Sequence, residues 1–165
     1  MLLSACSELS PQTYSSFEPS LVPEDFFDGE LTAHGVVRSR SGEVIRYFNA
    51  DILASWKDGV GTLDEWFVFD DGEKQQRVWT LQPVGNKVYR AAAGDVVGEG
   101  RLEYAGNSIF LDYVLRIPYG DATIDVSVDD RMYLVQPDVV INESRMSKFG
   151  VEVGSILLTI RKLSD

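Results

Sequence analysis

The chain has a single cysteine and a single histidine in 165 residues. One cysteine excludes an intramolecular disulfide. His34 stands in "TAHGVV" with no nucleophile motif or second metal-ligating group spaced to join it, and reads as a strand residue with a local hydrogen bond. Positive charge is also scarce. Lys plus Arg number 15 against 26 Asp plus Glu, a net charge of −11. Such a chain repels phosphate backbones, and no basic stripe offsets this, so nucleic acid is excluded as a partner. No apolar run approaches the length of a membrane-spanning helix. A G-x-S-x-G elbow, a glycine-rich phosphate loop and a Cys/His zinc spacing are all missing. The acidic pairs Asp70-Asp71 and Asp129-Asp130 lack the alternating ligands of a calcium loop and read as hairpin corners. No catalytic residue, metal or cofactor is therefore assigned, and whether the chain is an enzyme stays open.

What is present is a core and a rhythm. Apolar residues make up 44% and aromatics 11%, enough for one ordered domain. From Leu31 onward, turn signals recur at short intervals: Ser41-Gly42, Asp58-Gly59, Asp71-Gly72, Gly85-Asn86, Gly94-Asp95, Gly106-Asn107, Gly120-Asp121, Asp129-Asp130, Pro137-Asp138 and Phe149-Gly150. Between them the residues alternate. Positions 44 to 56 place Val44, Arg46, Phe48, Ala50, Ile52, Ala54 and Trp56 on one face, and positions 109 to 117 do the same with Ile109, Leu111, Tyr113, Leu115 and Ile117. Strands of this kind bury one face and wet the other. The pattern predicts an all-β protein, an antiparallel up-and-down barrel of about ten strands. A two-sheet sandwich is the second choice. Closure is favoured because it removes edge strands, and a barrel of this size can hold one small ligand.

The front of the chain differs. Leu3-Ser4-Ala5-Cys6 matches the end of a bacterial lipoprotein signal, where small residues precede a cysteine that becomes lipidated. Only Met1-Leu2-Leu3 stands where a charged start and an apolar run belong, so the true start lies upstream or the export signal has been lost. Residues 1–6 are read as the signal remnant and the lipidation site, Cys6. Residues 7–24, rich in Ser and Pro, are read as a tether, and 25–165 as the barrel domain. Pro23, Glu24 and Asp25 suit a first helical turn ended by Gly29, which predicts a short helix at one mouth. Acylation of Cys6 would anchor the protein to a membrane. Ser7 after the cysteine favours the periplasmic face of the outer membrane.

Four stretches, "FFDGELTAHGVV", "GTLDEWFVFDDGEKQQRVW", "GDVVGEGRLEYAGNSIFLDYVLRIP" and "INESRMSKFGVEVG", occur in an order and spacing that resembles a family of proteobacterial lipoproteins, the domain of unknown function DUF3833. The resemblance runs from about Phe26 to Lys162. It implies a lipocalin-like (calycin) barrel in the cell envelope, and it brings no catalytic residues.

Candidate binding residues follow from the alternation. Phe48, Phe67, Phe69, Leu111 and Tyr113 would remove the surface of a fatty acid or other lipid from water. Arg46 and Glu65 are charges in register with apolar faces. A charge turned into a barrel must be paired or hydrated. Arg46 would fix an anionic head group, or pair with Glu65 on the neighbouring strand, or stand outside by way of a bulge. Asn142, Glu143, Arg145 and Lys148 in "INESRMSKFG" would form a ligand-facing polar cluster, the hydrogen-bond network of a closing strand, or a partner surface. The leading expectation is a lipid-binding envelope barrel. A filled barrel acting through its surface comes second, and an enzyme acting on lipids third.

Overall fold

The computed structural model describes residues 9–164. They form ten strands: β1 (Gly29–Ser39), β2 (Val44–Lys57), β3 (Val60–Phe69), β4 (Lys74–Gly85), β5 (Val88–Ala92), β6 (Gly100–Ala105), β7 (Ser108–Tyr119), β8 (Ala122–Gln136), β9 (Val139–Lys148) and β10 (Val151–Lys162). Each pairs antiparallel with its neighbour in sequence. β1 also pairs with β10, from Leu31 opposite Lys162 to Ser39 opposite Gly154. The result is a closed up-and-down barrel, as the turn spacing predicts.

Most turn signals lie at hairpins. At Asp58-Gly59 the φ angles are 52° and 77°, and at Phe149-Gly150 they are 52° and 76°. Two consecutive left-handed residues are what a tight hairpin needs to match the twist of its strands. Gly85-Asn86 is displaced by one residue, the tight turn falling on Asn86-Lys87. Asp129-Asp130 is not a corner. Both residues lie inside β8, where Asp129 faces Asp112 and Asp130 faces Leu111 across the sheet. β7 and β9 both supply partners along this stretch, and register outweighs the turn preference of the aspartates.

Along β2 the inward residues are Phe48, Ala50, Ile52 and Ala54, all buried. Ala50, Ile52 and Ala54 join Leu31, Leu63, Trp79, Leu81, Leu102, Ile109 and Val140 in the main core. Gly35 on β1 faces Phe48 on β2, and a Cβ there would stand 2.5 Å from the Phe48 ring. The missing side chain is what lets that ring lie against the wall.

The chain reverses at two ends. One receives the start of β1, the end of β10 and four of the turns, and it is closed by a one-turn helix, α1 (Pro23–Phe26). Phe26 and Phe27 are each 4% exposed and plug this end. Trp56 Nε1 donates to the Phe27 carbonyl at 2.7 Å, Tyr89 Oη donates to Glu24 at 3.2 Å, and Lys162 Nζ donates to the Asp25 carbonyl at 2.6 Å.

The stretch read as a tether is in large part docked. A 3-10 turn, Pro11–Tyr14, places Tyr14 against Phe110 and Tyr133 on the outer wall, at ring separations of 6.0 and 5.2 Å. Leu21 is fully buried, and its N–H donates to the Gly106 carbonyl at 2.8 Å. Gly106 has φ +52°, and a Cβ there would fall 1.7 Å from the Tyr14 carbonyl oxygen. Serine and proline keep this segment irregular, but they do not stop Tyr14, Leu21 and Pro23 from burying surface. Cys6 and residues 7–8 lie outside the described residues.

Candidate functional site

The barrel encloses a cavity of about 170 Å³. Its wall is mostly apolar, with Phe48, Phe67, Phe69, Leu63, Leu111 and Leu158 among the residues facing it. It runs from Phe27, behind the closed end, to Phe69 and Gln75 near the β3–β4 turn. Gln75 is exposed, so the cavity meets the surface at the end away from α1. Three rings collar that opening: Phe48 lies 5.6 Å from Phe67 and 5.8 Å from Phe69, and Phe67 stacks on Phe69 at 6.2 Å.

A polar strip interrupts the apolar wall. Glu65 on β3, Arg77 on β4, Tyr113 on β7, Asp130 on β8, and Asn142 and Ser144 on β9 all line the cavity. β3 and β4 set Glu65 directly opposite Arg77, and β8 and β9 set Asp130 opposite Ser144. Arg77 is paired with Asp95 from the β5–β6 loop through its Nε and Nη2. Its Nε donates at 2.9 and 3.1 Å and its Nη2 at 2.6 Å to the two carboxylate oxygens. Burial works against the Arg77 charge, but the Asp95 bonds and surrounding acids outweigh it and hold the guanidinium pKa above its ordinary value.

The two inner carboxyls are shifted in the opposite sense. Burial pushes Glu65 up to about 7; Arg77 and a hydrogen bond from Trp79 oppose the shift, while Asp130 and Asp95 add to it. Burial pushes Asp130 up to about 6, against hydrogen bonds from Asn142 and Ser144. Asp130 is 7% exposed. Asn142 Nδ2 and Ser144 Oγ, the latter at 2.8 Å, both donate to its Oδ1 and neither to its Oδ2. Tyr113 is raised by burial and by Asp130, and its ring meets Trp79 edge-on at 5.2 Å.

Of the residues expected to face a ligand, Phe48, Glu65, Phe67, Phe69, Leu111 and Tyr113 stand on the cavity wall. Arg46 and Arg145 do not. Arg46 sits at the rim, its guanidinium 3.6 Å above the Phe69 ring and hydrogen-bonded to Asp71 at 3.0 and 3.1 Å and to Glu73. It does not pair with Glu65, because the β2–β3 register puts Glu65 opposite Ile52, six residues along the strand from Arg46. Arg145 points outward, exposed, 3.7 Å from Glu143. Strand alternation divides that cluster: Asn142 and Ser144 turn in, Glu143 and Arg145 turn out. Lys148 Nζ donates to the Asp125 carbonyl at 2.5 Å. Reading the sequence named Asn142 in a ligand-facing cluster but missed Arg77, Asp130 and Ser144 as wall residues. Their signal was available as period-two alternation with Trp79, Val128 and Val140, once Asp129-Asp130 is taken as strand. His34 is on the outer face, its Nδ1 2.6 Å from Asn49 Oδ1, so no imidazole reaches the cavity. Among the described residues no group of three His, Cys, Asp or Glu is arranged to hold a metal ion.

Residues 1–162 match the family model described as "Protein of unknown function (DUF3833)", and the chain belongs to that family. No curated protein matches the sequence. Among solved structures, the barrel is similar to the S-type phycobiliprotein lyase CPES from Guillardia theta, with a TM-score of 0.63 at 14% identity over 96% of this chain and 100% of the lyase. It is also similar to Rv2717c from M. tuberculosis, with a TM-score of 0.61 at 12% identity over 90% of this chain and 100% of that protein. The fold is a lipocalin-like barrel.

Proposed function

We propose that the protein is an envelope lipoprotein whose barrel binds one small amphipathic ligand of the lipid class, non-covalently, with its apolar body among Phe48, Phe67, Leu111 and Leu158. The observation that carries this reading is the cavity: an apolar wall, one polar strip and an opening on the end away from α1. Native barrels of this size fill their interiors with side chains or keep room for a ligand. A space of about 170 Å³ is slightly larger than the cavity of about 150 Å³ that accepts benzene. It takes a ring or a chain of about six to eight carbons, and a longer chain leaves through the opening. Occurrence of the same fold in a phycobiliprotein lyase supports a ligand-handling barrel. The segment Leu3-Ser4-Ala5-Cys6 supports anchoring through an acylated Cys6, on the periplasmic face of the outer membrane.

Native mass spectrometry of the full chain, expressed behind an export signal and extracted from the envelope, tests both parts. A co-purified small molecule lost on Leu111→Trp, which fills the cavity, is the expected result. An empty protein that also takes up no apolar dye overturns the binding reading. Cys6→Ala should move the protein from the membrane fraction to the soluble one, and an unchanged distribution overturns the anchor.

A second reading, an enzyme acting on the bound lipid, is favoured by one observation. Glu65, at about 7, sits in the cavity with Tyr113 and could move a proton near neutral pH. It predicts a mass change in envelope lipids incubated with the protein, abolished by Glu65→Gln while binding persists.

A further inference from the structure

We infer that the cavity selects a ligand whose polar end is a hydrogen-bond donor, above all a primary ammonium, and rejects one ending in a carboxylate or phosphate. The inference rests on the binding reading and concerns the head group alone.

The argument is one of acceptors and donors. The polar strip and its loop partner bring together three carboxyls, Glu65, Asp130 and Asp95, and a single guanidinium, Arg77. Arg77 already spends three hydrogen bonds on Asp95. Its charge is balanced by Asp95, and a ligand anion would also meet Glu65 and Asp130 on the same wall. Both Asn142 and Ser144 donate to Asp130 Oδ1. Its Oδ2 takes no hydrogen bond from either, although the residue is more than nine-tenths buried and faces the cavity. An acceptor oxygen open to the cavity in that position is complete only when a donor arrives from the cavity side. Glu65, on the same strip, offers a second acceptor. An ammonium carries three donors and a positive charge, so it meets both needs at once. The arginine that the sequence offers for an anion, Arg46, is held at the rim by Asp71 and Glu73 and is not on the wall.

Protonation of the strip follows from its surroundings. Glu65 faces Arg77 and Trp79 on β4, Asp95 on the β5–β6 loop and Asp130 on β8. Asp130 faces Asn142 and Ser144 on β9, Arg77, and Asp129 beside it. Both inner carboxyls are raised, so both take protons as the pH falls from 8 to 5. A cation then loses its counter-charges, whereas a neutral alcohol does not.

Three probes of one length separate these cases: octylamine, octanol and octanoate, titrated by calorimetry into the full chain at pH 8. The expected order is octylamine, then octanol, then octanoate, with at least tenfold between the first and last. Octylamine affinity should fall at least tenfold from pH 8 to pH 5 while octanol changes less than threefold. Glu65→Gln and Asp130→Asn, made singly, keep the shape of the wall, and each should bring octylamine closer to octanol. Octanoate binding as tightly as octylamine to the unsubstituted protein overturns the head-group assignment and leaves cavity binding standing. Failure of all three probes to bind overturns the binding reading itself, and the head-group assignment with it.

Discussion

The two ends of the barrel are built on different terms. The end under α1 is sealed by Phe26, Phe27 and Leu21, each no more than 4% exposed, and Trp56, Lys162 and Tyr89 hold the plug through two of its backbone carbonyls and the Glu24 carboxylate. The opposite end carries the cavity opening and the rim ion pairs of Arg46, and its turns expose Tyr119 at 68% and Phe149 at 93%. Apolar residues serve as filling at one end and are left in water at the other. One end is thus closed by packed side chains and the other leaves the cavity open, where a ligand has a way in.

The largest test of that contrast is Phe27→Ala. It opens a void in the plug and should destabilise the protein by about 3–5 kcal/mol in urea unfolding. A loss below about 1 kcal/mol would mean that the plug is not what holds this end.

Glu65→Gln probes the cavity wall in the opposite direction. The folded-state pKa of Glu65 is about 7 against an ordinary 4.5. Because it is raised, its stabilising contribution is fully present below about pH 4.5 and is lost as the pH rises through 7. Replacing it should therefore stabilise the protein at pH 8, by about 1–3 kcal/mol, and do little at pH 4. Equal effects at the two pH values would show that Glu65 is not a buried, raised carboxyl.

Trp56→Phe keeps most of the ring and removes the hydrogen bond to the Phe27 carbonyl. It should cost about 1 kcal/mol, the net worth of one such bond plus the carbonyl left unpaired. A melting curve identical to that of the unsubstituted protein would show that α1 is held by packing alone.

The smallest effects belong to the open end. Arg46→Met removes ion pairs to two exposed acids, and the thermal midpoint should not move measurably, since such pairs contribute little. Phe149→Ser should change stability by less than about 0.5 kcal/mol. A loss from Arg46→Met comparable to that of Phe27→Ala would erase the contrast between the ends.

How much of this could be read from the residues alone varies along the chain. The alternation of Phe48, Ala50, Ile52 and Ala54 and the paired turn residues at Asp58-Gly59 and Phe149-Gly150 were sufficient to infer strands, hairpins and a closed sheet. Both signals are local, with a period of two and a turn geometry only certain residues accept. The same alternation placed Phe67, Phe69, Leu111 and Tyr113 correctly on the inner face. It failed at Asp129-Asp130, because two aspartates have the composition of a turn and nothing near them in sequence announces that β7 and β9 flank them on both sides. For residues 9–24, Ser and Pro content signals irregular backbone and says nothing of whether that backbone docks.

Fold class, family and which residues of each strand share a face all follow from the order of residues, since these rest on spacing along one chain. Tertiary structure alone decided the partners of the charges. Arg46 meets Asp71 and Glu73 and not Glu65, Arg77 is held by Asp95, and Asp130 lies beneath Asn142 and Ser144. Charge pairing depends on inter-strand register and on distances of a few ångströms between residues far apart in the chain. Burial then acts on those few groups to set their protonation, and no pattern along a strand encodes that.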